Sequence, residues 1–163
     1  MSNVFNYNDI LFGGPPFLVE VVDPDVVVSL SFRVVARSWS TRFVYHYPVR
    51  DFGVYPVWHI GAAVDVVRRH VGLGHRVYVH CDGGCGRTAT VISAYLILFH
   101  GINYREAVEM FREQRGCTVE SNEQMAFLAM LDYARRRLDT SKLLDLLKRS
   151  EELSDFIDLL MRA

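Results

Sequence analysis

Val77-Tyr78-Val79-His80-Cys81-Asp82-Gly83-Gly84-Cys85-Gly86-Arg87-Thr88 is the stretch on which the reading of this chain turns. Its apolar, β-branched start reads as a strand and its glycine-rich middle as a tight loop, and from Arg87 a long apolar segment begins. Strand, loop and helix in that order make an anion cradle. The loop's backbone N–H groups converge, and the helix N-terminus adds positive potential. Cys81 falls at the floor of the cradle, where that field favours a thiolate and hence a nucleophile. Arg87 adds a planar, two-pronged donor matched to phosphate oxygens. A cation at a helix start is otherwise unfavourable, so its position makes sense with an anion in the loop. Asp82, Gly83, Gly84, Cys85, Gly86 and Arg87 are therefore the expected phosphate-binding residues.

The spacing excludes two other phosphate loops. A Walker-type loop aligned on Gly86-Arg87-Thr88 would put Cys81 where its first glycine belongs and Arg87 where its lysine belongs. A dinucleotide fingerprint on Gly84 and Gly86 meets Ala89 at its third glycine. The nearest acidic residue at the right distance, Glu106, falls in a helical pattern.

His80, Cys81, five intervening residues, Arg87 and Thr88 resemble the His-Cys-x5-Arg-Ser/Thr signature loop of the cysteine-dependent protein tyrosine phosphatases. The resemblance implies that Cys81 attacks phosphorus, that Arg87 clamps the equatorial oxygens, and that the Thr88 hydroxyl assists departure of the thiolate. In that family the histidine before the cysteine orients the loop and is no general base; a satisfied core histidine at a strand end is an equal reading of His80. Dual-specificity members carry their general acid in an Asp-x-x-x-x-Pro-like loop. Asp51 and Pro56 match it, 30 residues upstream of Cys81 in a segment bounded by Pro48 and Pro56 with Gly53 inside. The alternative reading of Asp51 is an Asx turn in which it caps its own backbone. Its rivals are Asp65, expected mid-helix, and Asp82, inside the cradle. Gln124 matches a glutamine that positions the hydrolytic water in some members, yet three residues after Ser121 it also fits a capping box. The loop has no lysine and carries Asp82, which repels a polyanion, so a multiply phosphorylated headgroup is disfavoured. Cys85 reads as a small filler or as a thiol able to trap an oxidised Cys81.

Composition narrows the rest. The 163 residues suit one domain, with 1–16 an irregular lead-in and 140–163 an amphipathic helical tail. A net charge of −1 argues against nucleic-acid binding. No apolar run is long enough for a membrane span. Three cysteines, odd in number and not at zinc spacings, argue against a disulfide framework or a metal site, and no cofactor is implied. The expectation is a soluble monomer in a reducing cytoplasm, with phosphorylated proteins as its partners.

Element by element, the pattern predicts a short edge strand around Val4–Tyr7, strands over Val26–Leu30, Arg42–Val49 and His75–His80, and an undecided Phe17–Val22. Helices are predicted over Val57–Val71, ended by Gly72 and Gly74, and over Thr88–Phe99, apolar nearly all round and hence buried. Gly101 caps the latter. Further helices start at Asn103, stopping at Gly116, and at Ser121, and one or two lie within Thr140–Met161. The fold class is α/β, a small and mainly parallel sheet flanked by helices with a largely helical C-terminal half, as the phosphatase resemblance also implies. The expected activity is hydrolysis of phosphotyrosine, with phosphoserine and phosphothreonine as further substrates, through a cysteinyl-phosphate intermediate. The competing classes are a cysteine-based sulfur-transfer or arsenate-reducing enzyme and a non-catalytic phosphate-binding module.

Overall fold

A computed structural model of the chain describes residues 5–7 and 11–163. Five strands form one sheet in the order β1-β2-β5-β3-β4: β1 (Phe5–Tyr7), β2 (Leu11–Gly14), β3 (Val26–Ser29), β4 (Phe43–His46) and β5 (Val77–His80). β1 runs antiparallel on β2, and every other neighbouring pair is parallel. β3 and β5 are buried throughout, as short β-branched runs must be when a parallel sheet is covered on both faces. The register sets Gly14 and Ser29 on either side of His80. Three strands thus finish level, and the chain leaves β5 into the cradle at their carboxyl ends, where open α/β sheets place ligands.

One face of the sheet carries the helices. α3 (Gly86–His100) lies at the centre, buried from Gly86 to Leu98, so its nearly continuous apolar sequence has no solvent face to serve. Around it pack α2 (Val57–Gly72), α4 (Tyr104–Arg115) and α5 (Asn122–Arg135). The capping signals hold where the sequence puts them: Asn103 accepts from Glu106 N–H, Ser121 accepts from Gln124 N–H, and Gly101 and Gly116 end α3 and α4 in the left-handed region. The other face has a thinner cover. A 3-10 turn (Pro16–Leu18) and the single turn of α1 (Val19–Val22) settle Phe17–Val22 as helical, and Val19, Val22 and Ala36 pack there on Val27 and Tyr78.

The lead-in is less irregular than the sequence suggests. Gly13-Gly14 followed by two prolines reads as loop, yet Leu11–Gly14 is a parallel strand beside β5. The reason is α3, which lies so close that a Cβ on Gly13 would overlap Ile92 Cδ1 and reach 2.9 Å from Thr88 Cγ2. A glycine inside a strand here marks close approach of another element. The edge strand is present over Phe5–Tyr7, while Val4 lies outside the described residues.

The tail is two helices, α6 (Thr140–Lys148) and α7 (Leu153–Arg162). Between them the carbonyls of Ser150 and Glu151 accept the N–H groups of Trp58 and Val57. They close the open N-terminus of α2, whose cap position, Pro56, offers no side-chain acceptor. Leu143, Leu144 and Leu147 are buried, and α6 packs on α2. The buried Phe156 ring lies 6.1 Å from Phe127 of α5 and anchors α7 on the core. Among the described residues, no helix is long and apolar enough to cross a membrane.

Candidate active site

Cys81 is the first residue beyond β5 and is 2% exposed. The Thr88 hydroxyl, from the first turn of α3, donates to its sulfur at 3.1 Å. Arg87 is 4% exposed, and its Nη1 donates to the carbonyls of Val49 at 3.0 Å and Leu30 at 3.4 Å. Two loops thus hold the guanidinium from behind. Its Nε, buried and without a hydrogen-bond partner, lies 3.5 Å from Asp51 Oδ1, and its Nη2 lies 3.6 Å from Asp82 Oδ2. These two donors face the same way, in the fork geometry that grips two oxygens of a tetrahedral anion. Among the described residues, the amides of Asp82, Gly83, Gly84 and Cys85 donate to no protein acceptor.

Asp51, distant in sequence, therefore comes to the mouth of the cradle while staying more than half exposed. Its Oδ1 also accepts from Phe52 N–H at 3.1 Å, so the Asx-turn reading describes the same carboxylate. The two rivals go elsewhere. Asp65 is tied on the far side of α2 to Arg68 at 2.9 Å and Lys148 at 2.6 Å. Asp82 accepts a short hydrogen bond from the Ser31 hydroxyl. That bond, with the Arg87 and Arg33 charges behind it, holds the Asp82 carboxyl below the usual carboxylate range. It is a fixed negative charge at the rim rather than a proton source.

His80 is fully buried. Burial drives its pKa down to about 4, against the smaller opposing pull of the Cys81 carbonyl and the Asp82 charge. The ring is neutral at physiological pH. Its Nε2 accepts from Ala36 N–H at 3.2 Å, which leaves the proton on Nδ1, 3.3 Å from the Cys81 carbonyl. His80 joins the cradle's first residue to the 31–36 crossover and is a spacer in this geometry.

The back of the cradle is gripped by residues 115–124. Arg115 Nη2 donates to Gly83 O at 2.9 Å, and Glu120 Oε1 accepts from Gly86 N–H at 2.9 Å. Between these two, Cys85 is bonded to Cys117. This overturns both readings of Cys85, as filler and as trap for Cys81, along with the expectation of no disulfide. Cys81 is the free cysteine. The odd count concealed one bond plus one free thiol. The partners lie 32 residues apart and meet only because α4 folds back along α3. Gln124 is fully buried, but its capping box is incomplete: its backbone N–H donates to the Ser121 hydroxyl, while its Oε1 accepts from Glu120 N–H at 2.7 Å. Its Nε2 is left without a hydrogen-bond partner, near Gly86, where a Cβ would sit 3.1 Å from it. A buried, unpaired amide donor beside an anion loop suits binding a water or an oxygen there.

Sequence reasoning missed Ser31, Arg115, Cys117, Glu120 and Glu123. Each acts through a contact at least 32 positions away, and none belongs to a motif. The closest available signal was the odd cysteine count together with a cysteine inside the cradle.

A family model described as dual specificity phosphatase, catalytic domain, matches residues 25–135. Protein MJECL20 of Methanocaldococcus jannaschii is 37% identical over 93 residues, 56% of this chain and 59% of that one. Dual specificity protein phosphatase 26 of Bos taurus is 39% identical over 59 residues, 36% of this chain and 28% of that protein. The chain thus spans little more than half of the first relative and under a third of the second. Among solved structures, the crystal structure of a mutant form of Tk-PTP superposes with a TM-score of 0.70 at 25% identity, over 83% of this chain and 97% of that one.

Proposed function

The chain belongs to the dual specificity phosphatase catalytic-domain family, and from that membership and the grouping around Cys81 we propose that it is a protein phosphatase. Its substrates are phosphotyrosine and, beside it, phosphoserine and phosphothreonine. The Cys81 thiolate attacks phosphorus, an S–P bond forms and the P–O bond to the leaving group breaks. Asp51 gives its proton to the departing oxygen. Arg87 Nε and Nη2 hold the equatorial oxygens, where charge collects in the transition state. In the second step a water oriented by Gln124 attacks phosphorus, Asp51 takes its proton, and the P–S bond breaks. The sulfur then leaves as a thiolate that keeps the Thr88 hydrogen bond. Inorganic phosphate is the second product.

One observation carries this reading: Asp51 stands 3.5 Å from the Arg87 guanidinium that frames the cradle. A sulfur-transfer enzyme or a silent phosphate-binding module has no use for a carboxyl there. The fixed charge of Asp82 at the rim supports a singly phosphorylated substrate over a polyphosphorylated headgroup. The test is turnover of p-nitrophenyl phosphate by the wild type beside Cys81→Ser, with vanadate as inhibitor. The expected outcome is vanadate-sensitive hydrolysis that falls by at least about 10⁴-fold in the variant. Sulfur transfer from thiosulfate without phosphate release would overturn the assignment.

A further inference from the structure

Asp51 sits on a loop that is largely closed on itself. Arg50 N–H donates to Tyr55 O at 2.8 Å and Gly53 N–H to Arg50 O at 3.1 Å, so residues 50–55 form a small hairpin-like projection. Its tip stands proud: Asp51 and Phe52 are both exposed, and Phe52 is in the left-handed region at φ 60°. Asp51 reaches back to Arg87, a contact between two groups that the proposed chemistry needs for other work. The tip has a second tether. Val54 N–H donates at 2.9 Å to Glu123 Oε2, from the first turn of α5. Gly53 lies flush against the same oxygen, since a Cβ there would come within 2.6 Å of it.

The location of that carboxylate matters. Glu120, just before the Ser121 cap of α5, and Gln124 in its first turn engage the back of the cradle, through Gly86 N–H to Glu120 and the Glu120 N–H to Gln124 Oε1 bond. Glu123, one residue before Gln124, points the other way, onto the acid loop. The first turn of α5 and the residue pair leading into it thus reach both loops and set their separation. We propose that Glu123 is a positioning residue that sets the approach of Asp51 to the leaving-group oxygen by holding the tip of the acid loop against α5. This rests on the reading of Asp51 as the general acid. Glu123 touches no reacting atom; it acts through Val54 on the residue that does. A hydrogen-bond acceptor is what the position requires, because its partner is a backbone amide and no cation lies within ion-pair distance of it among the described residues.

The consequence is specific to one step. Loosening the tip by an ångström or so degrades proton delivery in the first step, which kcat/KM reports free of the second step's water attack and which matters only when the leaving group needs a proton. Phenyl phosphate, with a poor leaving group, should therefore be sensitive, and 2,4-dinitrophenyl phosphate, whose leaving group departs as a stable anion, should not. Glu123→Ala is expected to lower kcat/KM about tenfold on phenyl phosphate, to change it by less than about twofold on 2,4-dinitrophenyl phosphate, and to flatten the alkaline limb of the phenyl phosphate kcat/KM–pH profile. Glu123→Gln keeps an oxygen for Val54 N–H and is expected within about twofold of wild type on both. Asp51→Asn, run alongside, should show the same selectivity with a larger loss. A uniform loss on both substrates in Glu123→Ala, or no loss, overturns the tether while leaving Asp51 in place if Asp51→Asn is selective. A failure of Glu123→Gln to rescue overturns the hydrogen bond as the cause. A non-selective Asp51→Asn removes the acid reading itself, and the tether with it.

Discussion

Gly84 and Gly53 sit in the two loops that meet at Arg87, and what surrounds each tells the loops apart. Gly84 is in the left-handed region at φ 72°, and a Cβ on it would fall inside contact distance of Gly14 C and Pro15 N, which are backbone atoms at the exit of β2. Gly53 has no such backbone conformation, and the nearest atom to its Cβ would be Glu123 Oε2, the far end of a flexible, exposed side chain. The cradle is boxed in by main chain, gripped by Arg115 and Glu120, and bonded through Cys85 to Cys117. The acid loop has its own internal turn, one amide on Glu123 and one ion pair. On the proposed mechanism the difference follows from the tasks. A site that stabilises charge in a transition state gains from donors that need no reorganisation. A loop that delivers a proton must let an ester in and an alcohol out, so its tip is drawn from the lightly held part of the fold.

Substituting the cradle glycine tests that contrast hardest. Gly84→Ala places a side chain where the backbone of β2 already runs and forces a left-handed alanine, at about 1–2 kcal/mol for the backbone conformation alone. The loop must move, and misplaced donors cost far more in rate than in stability. Turnover of p-nitrophenyl phosphate is expected to fall about 10²-fold or more, with vanadate inhibition weakening in parallel. Near-normal kinetics would mean that the cradle yields as readily as the acid loop, and the contrast would be gone.

The disulfide comes next. Its 32-residue loop predicts that Cys117→Ser lowers the unfolding free energy by about 3–4 kcal/mol when both proteins are measured without reductant. With Arg115 and Glu120 still in place, turnover should fall no more than severalfold. Excess dithiothreitol should bring wild type to the level of the variant in a denaturant titration, because it opens the same bond. A gap that survives reductant would assign the loss to packing around Cys117 and not to the bond.

How much of this was readable beforehand depends on how far each signal reaches along the chain. The cradle was legible because its parts are contiguous: strand, glycines, arginine and hydroxyl all fall between Val77 and Thr88. Helix boundaries were legible for the same reason, since Asn103, Ser121, Gly101 and Gly116 act within a turn or two of where they stand. Gly13 misled because the helix that demands a bare Cα there comes 73 or more residues later. Cys85 misled because only the return of α4 brings Cys117 to it. Gln124 shows the intermediate case: the box motif correctly started the helix, but the side chain turned to Glu120 N–H, a choice made by the neighbouring cradle and not by the local pattern. Asp51 was found at long range only because a family's loop pattern supplied the distance that physics could not.

The smallest effect belongs to the acid loop's own glycine. Gly53→Ala asks only that Glu123 Oε2 step aside, and alanine suits the backbone there, so stability should stay within about 0.5 kcal/mol of wild type by thermal or denaturant unfolding. What the added methyl group displaces is the acceptor of Val54 N–H. Catalysis should therefore respond where the fold does not: a loss in kcat/KM of about two- to fivefold on phenyl phosphate and none on 2,4-dinitrophenyl phosphate. The same chemical change, one added carbon, would then cost two orders of magnitude in one loop and a small factor, visible with one class of leaving group, in the other. If Gly53→Ala instead unfolds the protein or slows both substrates alike, the acid loop is as firmly built as the cradle, and its light tethering is an appearance of the contact pattern alone.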